Sequence, residues 1–582
     1  MKKLMLGNEA VARGAYEAGC AIAAAYPGTP STEITEYIAK YDEIYSEWSP
    51  NEKVALEVAI GASIGGARAI CSMKHVGLNV AADPLFTVSY SGVNGGLVIM
   101  VADDPGMHSS QNEQDSRFYA RSSKVPMLEP SDSQECKDFV KYAFAISEEF
   151  DCPVIVRLTT RVSHSQSAVE INDKENVCIK DYVKDANKYV MMPAMARRRH
   201  VEVEKRMAAL REFSNNNFNL NKIEMNSREV GIITSGISYQ YAKEACPDAS
   251  VLKIGLVHPI PEKLIAEFAA KVETLYVVEE LEPFFENQVL KMGIKVIGKE
   301  KLPVMGELSA QLIAERLFGK KPEVPALPEQ PIPVRPPVMC PGCPHRGMYY
   351  VLKKLKLNVS GDIGCYTLGA LAPNESMDTC ICMGASIGVA HGMEKARGAE
   401  FRKKTVAVIG DSTFIHSGIT GLIDVVYNKG NSTVLILDNS ITGMTGHQHN
   451  PTTGFTIKGE PTKQVDLELL CKAVGVNRVT IVDPFNVKEF EKVVKAEIEA
   501  DEPSVIISQR PCALLKNVKF EGAQKIDQDK CKKCRMCMKI GCPAIVDKGD
   551  YLEINPALCV GCKLCTKVCG FNAIEKDGGL NG

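Results

Sequence analysis

The chain has 582 residues, 45% of them hydrophobic, and a formal charge of -3. Single cores rarely exceed roughly 250 residues, so several domains are expected. The near balance of charge argues against nucleic acid or an anionic membrane as partner, and no apolar run approaches the roughly 18 residues of a membrane span, so a cytoplasmic globular protein is expected.

The start MKKLMLG could be taken for a leader, but Glu9, Arg13 and Glu17 interrupt any hydrophobic region. Residues 1–162 alternate helical segments with the apolar runs Ala21–Ala25, Ala69–Cys71, Leu97–Ala102 and Val154–Leu158. That alternation predicts an α/β domain. It contains the loop YPGTPSTE, Tyr26–Glu33, and a helix reading NEKVALEVAIGAS, whose small residues let another element approach closely. Residues 163–228 turn polar and basic, with Arg197–Arg199 followed by EVEKRMAALREF, and read as a linker with one exposed helix. The runs VGIITSG, VLKIGLVHP and TLYVVEELE predict three strands of a second α/β domain, 229–319. Eight prolines between Pro322 and Pro341 mark a stiff connector, 320–338. A third α/β domain, 339–515, and a separate module, 525–582, complete the chain.

The third domain holds the stretch Thr405–Gly454. The apolar run Val406–Ile409 ends in Gly410-Asp411-Ser412, a helical segment follows, and the run Val434–Leu437 ends in Asp438-Asn439. A right-handed βαβ unit would bring Asp411 and Asn439 to one edge of a parallel sheet. With a loop carbonyl near Ile441 they supply half of a hard oxygen site suited to Mg²⁺, whose other ligands are typically phosphates and water. The implied ligand is a diphosphate. The pattern resembles the thiamine diphosphate (ThDP) signature, with Ser412 and Asp438 in place of a Gly and an Asn. An ordinary βαβ turn with a capping Asp is the plainer alternative.

Of 21 cysteines, eight fall between Cys531 and Cys569. Clustering of this kind in a reducing cytosol favours metal centres over disulfides. The spacing follows the bacterial ferredoxin run, in which the fourth Cys of each run crosses to the other cluster. One 4Fe-4S cluster would take Cys531, Cys534, Cys537 and Cys569, and the other Cys559, Cys562, Cys565 and Cys542. A pair of zinc sites is the alternative. Cys340, Cys343, Cys365 and Cys512 form a looser third set. Scattered cysteines are usually inert and buried, but a Cys-x2-Cys that opens a cofactor-bearing domain is not so easily dismissed.

Together YPGTPSTE, NEKVALEVAIGAS, CPGCPHR, GDIGCYTLG, GDSTFIHSG and DNSITGMTG are similar to the motifs of the ThDP-dependent 2-oxoacid:ferredoxin oxidoreductases, in particular the α-type chains of the indolepyruvate branch. The resemblance covers essentially the whole length. It implies a multidomain α/β fold: a pyrimidine-type ThDP domain (1–162), a transketolase C-terminal-like domain (229–319), a pyrophosphate-type ThDP/Mg domain (339–515) and a two-cluster ferredoxin-like module (525–582). Glu52 matches the glutamate at N1′ of the aminopyrimidine, and Thr29 a donor to the 2-oxoacid carboxylate. His75 lies in the region beside the reacting carbon and reads equally well as a structural histidine. Gly410, Asp411, Ser412, Asn439 and Ile441 match the Mg²⁺-diphosphate anchor, with Cys365 beside the cofactor. Related enzymes hold a third, proximal 4Fe-4S cluster where Cys340, Cys343, Cys365 and Cys512 stand, and the resemblance leaves open whether this branch keeps it. The implied reaction is oxidative decarboxylation of an aryl 2-oxoacid to an aryl-acetyl-CoA and CO₂. Its electrons pass through the clusters to ferredoxin, and a smaller β subunit joins in a heterodimer, expected to be doubled to α2β2. A branched-chain 2-oxoacid or phenylpyruvate as substrate, a non-oxidative decarboxylase, and an electron carrier that merely scaffolds the tail are the alternatives.

Overall fold

The structure, a computed structural model, describes residues 1–320, 330 and 332–577. Most of the expected connector 320–338 and the last five residues of the 525–582 module lie outside the described residues. The chain divides into two compact units, Met1–Leu327 and Pro328–Gly582.

The first unit is built on a seven-stranded sheet in the order Leu256–His258, Met127–Leu128, Val154–Thr159, Leu97–Asp103, Ala69–Lys74, Ile22–Ala25, Tyr45–Trp48. All neighbours are parallel except the first pair. The central strands LVIMVAD and AICSMK are buried along their whole length. Near-continuous apolar runs of this kind belong to parallel strands covered by helices on both faces. The carboxyl ends of these strands run into the loop from Tyr26, into Lys74-His75, into Asp103-Asp104 and into Thr159-Thr160, which gathers them on one edge.

A four-stranded sheet, Thr274–Val278, Val230–Thr234, Ser250–Ile254 and Asn221–Glu224, forms the other layer of this unit. Here the run VLKIGLVHP departs from the single strand expected. Ser250–Ile254 stays in the four-stranded sheet, and Leu256–His258 crosses to the edge of the seven-stranded one. Gly255 is the crossing point. A Cβ there would meet the Leu220 carbonyl at 2.4 Å and the Phe139 ring at 2.8 Å. The Asn221 side chain accepts from the amides of Gly255 (3.0 Å) and Leu256 (3.1 Å), which satisfies the backbone at the break.

The helix expected to be exposed, Pro193–Asn216, is also docked along one side. Val203, Met207 and Leu210 are buried, Arg199 donates to the Tyr90 carbonyl at 2.7 Å, and Arg206 donates to those of Ser89 and Asp151. Two of these carbonyls are among the last four of the helix Ala82–Ser91, which have no partner within their own helix. Part of the basic run therefore caps another helix instead of facing water.

The second unit carries a six-stranded, wholly parallel sheet: Thr379–Cys380, Asn358–Gly361, Thr405–Gly410, Thr433–Asp438, Ser504–Gln509, Arg478–Val482. The chain lays down Asn358–Gly361, steps outward to Thr379–Cys380, then returns to place Thr405–Gly410 on the other side. That reversal is a topological switch point, where open α/β sheets bind ligands. Asp411 opens a helical run to Tyr427, widened by a π turn over Phe414–Gly418, a feature frequent at functional sites. The tail folds as two antiparallel pairs, Gln524–Ile526 with Ile574–Lys576 and Ile545–Asp547 with Leu552–Ile554. Its apolar residues Ile540, Ile545, Leu564 and Ile574 share one core with the helix His345–Leu355. The mixed α/β class expected from the sequence is the class observed. Among the described residues no helix is long and apolar enough to cross a membrane.

Candidate active site and cysteine cages

On the first sheet's carboxyl edge, Glu52 opens the helix Glu52–Ile64, whose N-cap Asn51 accepts from the Val54 amide at 2.9 Å. Glu52 is 4% exposed. The helix His75–Val80 crosses so closely that a Cβ on Gly77 would lie 2.7 Å from the Glu52 carboxylate. Lys74, at the end of its strand, is buried and donates to the Ser109 carbonyl at 3.0 Å. Burial pulls its ammonium down to about 8, against the opposing pull of Asp104 and Glu52. Asp104 is fixed by the Ser109 amide (2.8 Å) and by the Ser110 and Thr160 hydroxyls (2.7 and 2.8 Å). The YPGTPSTE loop lies against Lys74: Gly28 leaves 3.2 Å between an added Cβ and Lys74 Cγ, and the Thr29 carbonyl accepts from Ser109 at 3.1 Å. His75 is buried with Nε2 3.2 Å from the Asn112 carbonyl, and its Nδ1 has no partner. Burial lowers its pKa, so the ring is held neutral. Thr29, Glu52 and His75 thus share one edge, and Lys74, Asp104 and Ser109 join them without any spacing signal beyond their place at strand ends.

In the second unit, strand register sets Gly410 opposite Leu437, so Asp411 and Asn439 both follow the carboxyl ends of adjacent strands. Gly410 is held against Tyr366, whose ring would lie 2.9 Å from an added Cβ. Asp411 accepts from the Thr452 hydroxyl at 3.0 Å, and Thr452 in turn lies 2.7 Å from the Asn450 side-chain oxygen. Burial, then the charge of neighbouring Asp438, pushes the Asp411 carboxyl up to about 7. Asp438 itself accepts from the Ser440 amide and the Gln509 side chain, each at 2.9 Å. Among the described residues neither carboxylate is paired with a cationic side chain. Asn439 is buried, its side-chain oxygen accepting from the Ile441 amide at 3.3 Å across a left-handed turn at Ser440. Ser412, which departs from the ThDP signature, accepts from the Thr442 hydroxyl at 3.0 Å. An all-oxygen donor set with two buried, adjacent carboxylates suits a hard divalent cation. Asn450, Thr452 and Thr442 escaped the sequence reading because they belong to an irregular loop, where spacing carries no geometry.

The cysteines gather in three sets. Cys531, Cys534, Cys537 and Cys569 line one apolar cavity, and Cys542, Cys559, Cys562 and Cys565 line another. Cys340, Cys343, Cys365 and Cys512 come near enough to raise one another's pKa. Burial first, then neighbouring thiols, push Cys537 up to about 11 and Cys565 up to about 12, so ionising them calls for a bound cation. In the two tail sets, four thiols round one cavity suit an iron-sulfur cage, the donor chemistry of such clusters. Among the described residues no three His, Cys, Asp or Glu side chains are disposed as the ligands of one metal ion. The third set adjoins the Asp411 site: the Cys512 amide donates to the Asn439 carbonyl at 3.0 Å, and an added Cβ on Gly443 would lie 3.4 Å from Cys365 Sγ.

Comparison with known proteins matches three families. Residues 13–228 match the pyruvate flavodoxin/ferredoxin oxidoreductase thiamine diphosphate-binding family, residues 362–508 the C-terminal TPP-binding domain of thiamine pyrophosphate enzymes, and residues 552–575 the 4Fe-4S binding domain. Indolepyruvate oxidoreductase subunit IorA of Archaeoglobus fulgidus is 42% identical over 99% of this chain and 97% of its own. The same subunit of Pyrococcus horikoshii is 40% identical, again over 99% and 97%. A solved 2-oxoglutarate:ferredoxin oxidoreductase from Magnetococcus marinus aligns at 18% identity over 55% of this chain and 65% of that one, with a TM-score of 0.46. The chain carries thiamine diphosphate-binding domains and an iron-sulfur domain, and it belongs to the indolepyruvate:ferredoxin oxidoreductase α subunits, within the ThDP-dependent 2-oxoacid:ferredoxin oxidoreductases.

Proposed function

We propose that this chain oxidatively decarboxylates an aryl 2-oxoacid of the indolepyruvate type and delivers the electrons to ferredoxin. A smaller β subunit and coenzyme A complete aryl-acetyl-CoA formation in the cytoplasm. The carrying observation is the pair of buried carboxylates, Asp411 and Asp438, that has no cationic partner among the described residues and adjoins the Cys340, Cys343, Cys365 and Cys512 set. Asp411, the Asn439 side chain and the Ile441 carbonyl would hold Mg²⁺, with Gly410 and Ser412 framing the diphosphate. Glu52 would hold the proton at N1′ of the aminopyrimidine. When bound, ThDP supplies the nucleophilic carbon and the electron sink for decarboxylation. Lys74, fixed by the Ser109 carbonyl, offers a cation to the substrate carboxylate, and Thr29 a hydroxyl. His75, neutral and buried, can donate or accept one hydrogen bond without bringing charge into the site.

The cages suit 4Fe-4S clusters on Cys531, Cys534, Cys537 and Cys569, on Cys559, Cys562, Cys565 and Cys542, and on Cys340, Cys343, Cys365 and Cys512. Such clusters move electrons one at a time. The third set would be the first acceptor, because it touches the backbone of Asn439. A non-oxidative decarboxylase needs no such route, which favours the oxidoreductase reading. Assay under anaerobic conditions with indolepyruvate, phenylpyruvate and a branched-chain 2-oxoacid, each with coenzyme A and a viologen, tests it. Viologen reduction fastest with indolepyruvate is expected. Aldehyde release without viologen reduction would overturn the reading, and preference for another acid would overturn the substrate.

A further inference from the structure

The motif CPGCPHR contributes more than two cysteines. Arg346, on the first turn of the helix His345–Leu355, is 2% exposed and lies among the largest fully buried side chains. Its guanidinium donates to four main-chain carbonyls. Those of Met339 and Cys340 belong to the Cys-x2-Cys loop, and those of Ile540 and Gly541 immediately precede Cys542. The two segments are packed together independently: a Cβ on Gly342 would lie 2.7 Å from Val560, inside the second tail run. Among the described residues no carboxylate pairs with Arg346. Neutral carbonyls satisfy its N–H groups but leave its charge uncompensated, and a buried, unpaired charge is costly enough to be rare. The strongest influences that favour its charged form against burial are the thiols of Cys343, Cys542, Cys340 and Cys562. They come from both cages that flank it.

We propose that Arg346 is the counter-cation shared by the Cys340–Cys343 cage and the Cys542–Cys562 cage, and that its charge raises the reduction potential of the clusters held there. The inference rests on the cluster reading above. Its sign follows from electrostatics: a fixed positive charge in a low-dielectric interior stabilises the more negative, reduced form of a neighbouring cluster. None of the four carbonyls that Arg346 binds belongs to Cys531, Cys534, Cys537 or Cys569, so that cage serves as an internal reference.

Redox titration monitored by electron paramagnetic resonance, on the anaerobically purified full chain, tests this together with an iron count. Signals of the two tail clusters are told apart by the loss of one in Cys531→Ser. Arg346→Gln is expected to keep the wild-type iron content and to make reduction of the Cys542-cage cluster at least about tenfold less favourable, 59 mV for a one-electron couple. The Cys531-cage cluster should not move. Arg346→Lys, which keeps the charge and loses the fork, should recover most of the shift. An unchanged potential in Arg346→Gln, an equal shift in both tail clusters, or the same shift in both variants would overturn the proposal. Loss of iron in both variants would also overturn it, by reducing Arg346 to a scaffold. A wild-type chain without iron would instead sink the cluster reading on which it stands.

Discussion

The carboxyl edges of the two large parallel sheets are built alike and charged differently. On the first, the buried cation Lys74 meets Asp104 and Glu52, and hydroxyls and amides satisfy the remaining oxygens. On the second, Asp411 lies beside Asp438 with hydrogen bonds but no cation among the described residues. Backbone architecture therefore gathers strand-end residues in both places, while side-chain charge decides the use. The balanced edge can hold and move a proton or receive a carboxylate, and the anionic edge suits a divalent cation.

The largest effect should come from breaking the anionic edge. Asp411→Ala is expected to weaken ThDP-Mg²⁺ retention by more than the 10–100-fold typical of outer-shell partners, read as bound ThDP after desalting. Full retention would remove the metal assignment. On the balanced edge, Glu52→Gln should leave ThDP content intact and lower kcat by about 10² to 10⁴, the range of general acid-base contributions. If kcat holds and only ThDP content falls, Glu52 is a binding group alone.

Lys74 tests the same contrast through pH. Its ammonium is held at about 8 in the folded chain, against an ordinary value of 10.5. Between these values the unfolded chain keeps a proton that the folded chain has released, so stability rises with pH across this window. Below about 8 both states are protonated, and the burial cost of the charge is present in full. Relative to Lys74→Met, the wild type should gain up to about 3 kcal/mol from pH 8 to 10.5 in denaturant titrations. A constant difference would place the Lys74 charge in water. The smallest effect belongs to Ser412→Gly, which restores the signature residue and deletes one hydrogen bond to Thr442. It should cost about 1 kcal/mol or less in stability and leave ThDP binding within a few fold.

Much of this was legible before any coordinates, for reasons that differ by region. Strand-end positions follow from apolar periodicity, so Asp411 and Asn439 could be placed on a sheet edge from the residues alone, whereas Glu52 and His75 came only with the family resemblance. Four cysteines per tail cage follow from spacing, because short loops leave thiols few places to go, while the third set, scattered from Cys340 to Cys512, took its cluster reading only from the resemblance. Gly255 was illegible: its neighbours read as one β run, and only the approach of Leu220 and Phe139 shows why the chain breaks there. Arg199 and Arg206 carry a basic pattern that usually faces water, and the helix end they cap lies more than a hundred residues upstream. Asn450 and Thr452 reach Asp411 through an irregular loop, which has no period to read. The substitutions Ser412 and Asp438 looked like losses of signature. Each instead makes local hydrogen bonds that hold the loop in place.

The central claim, that an anionic ThDP-Mg²⁺ half-site stands next to iron-sulfur cages in this chain, is tested most directly by composition. Protein purified under strict anaerobiosis should contain one ThDP, one Mg²⁺ and about twelve iron atoms with matching acid-labile sulfide, four per cluster. Zinc in place of iron, or a full complement of iron with neither ThDP nor a divalent cation retained after ThDP and Mg²⁺ are supplied, would contradict it.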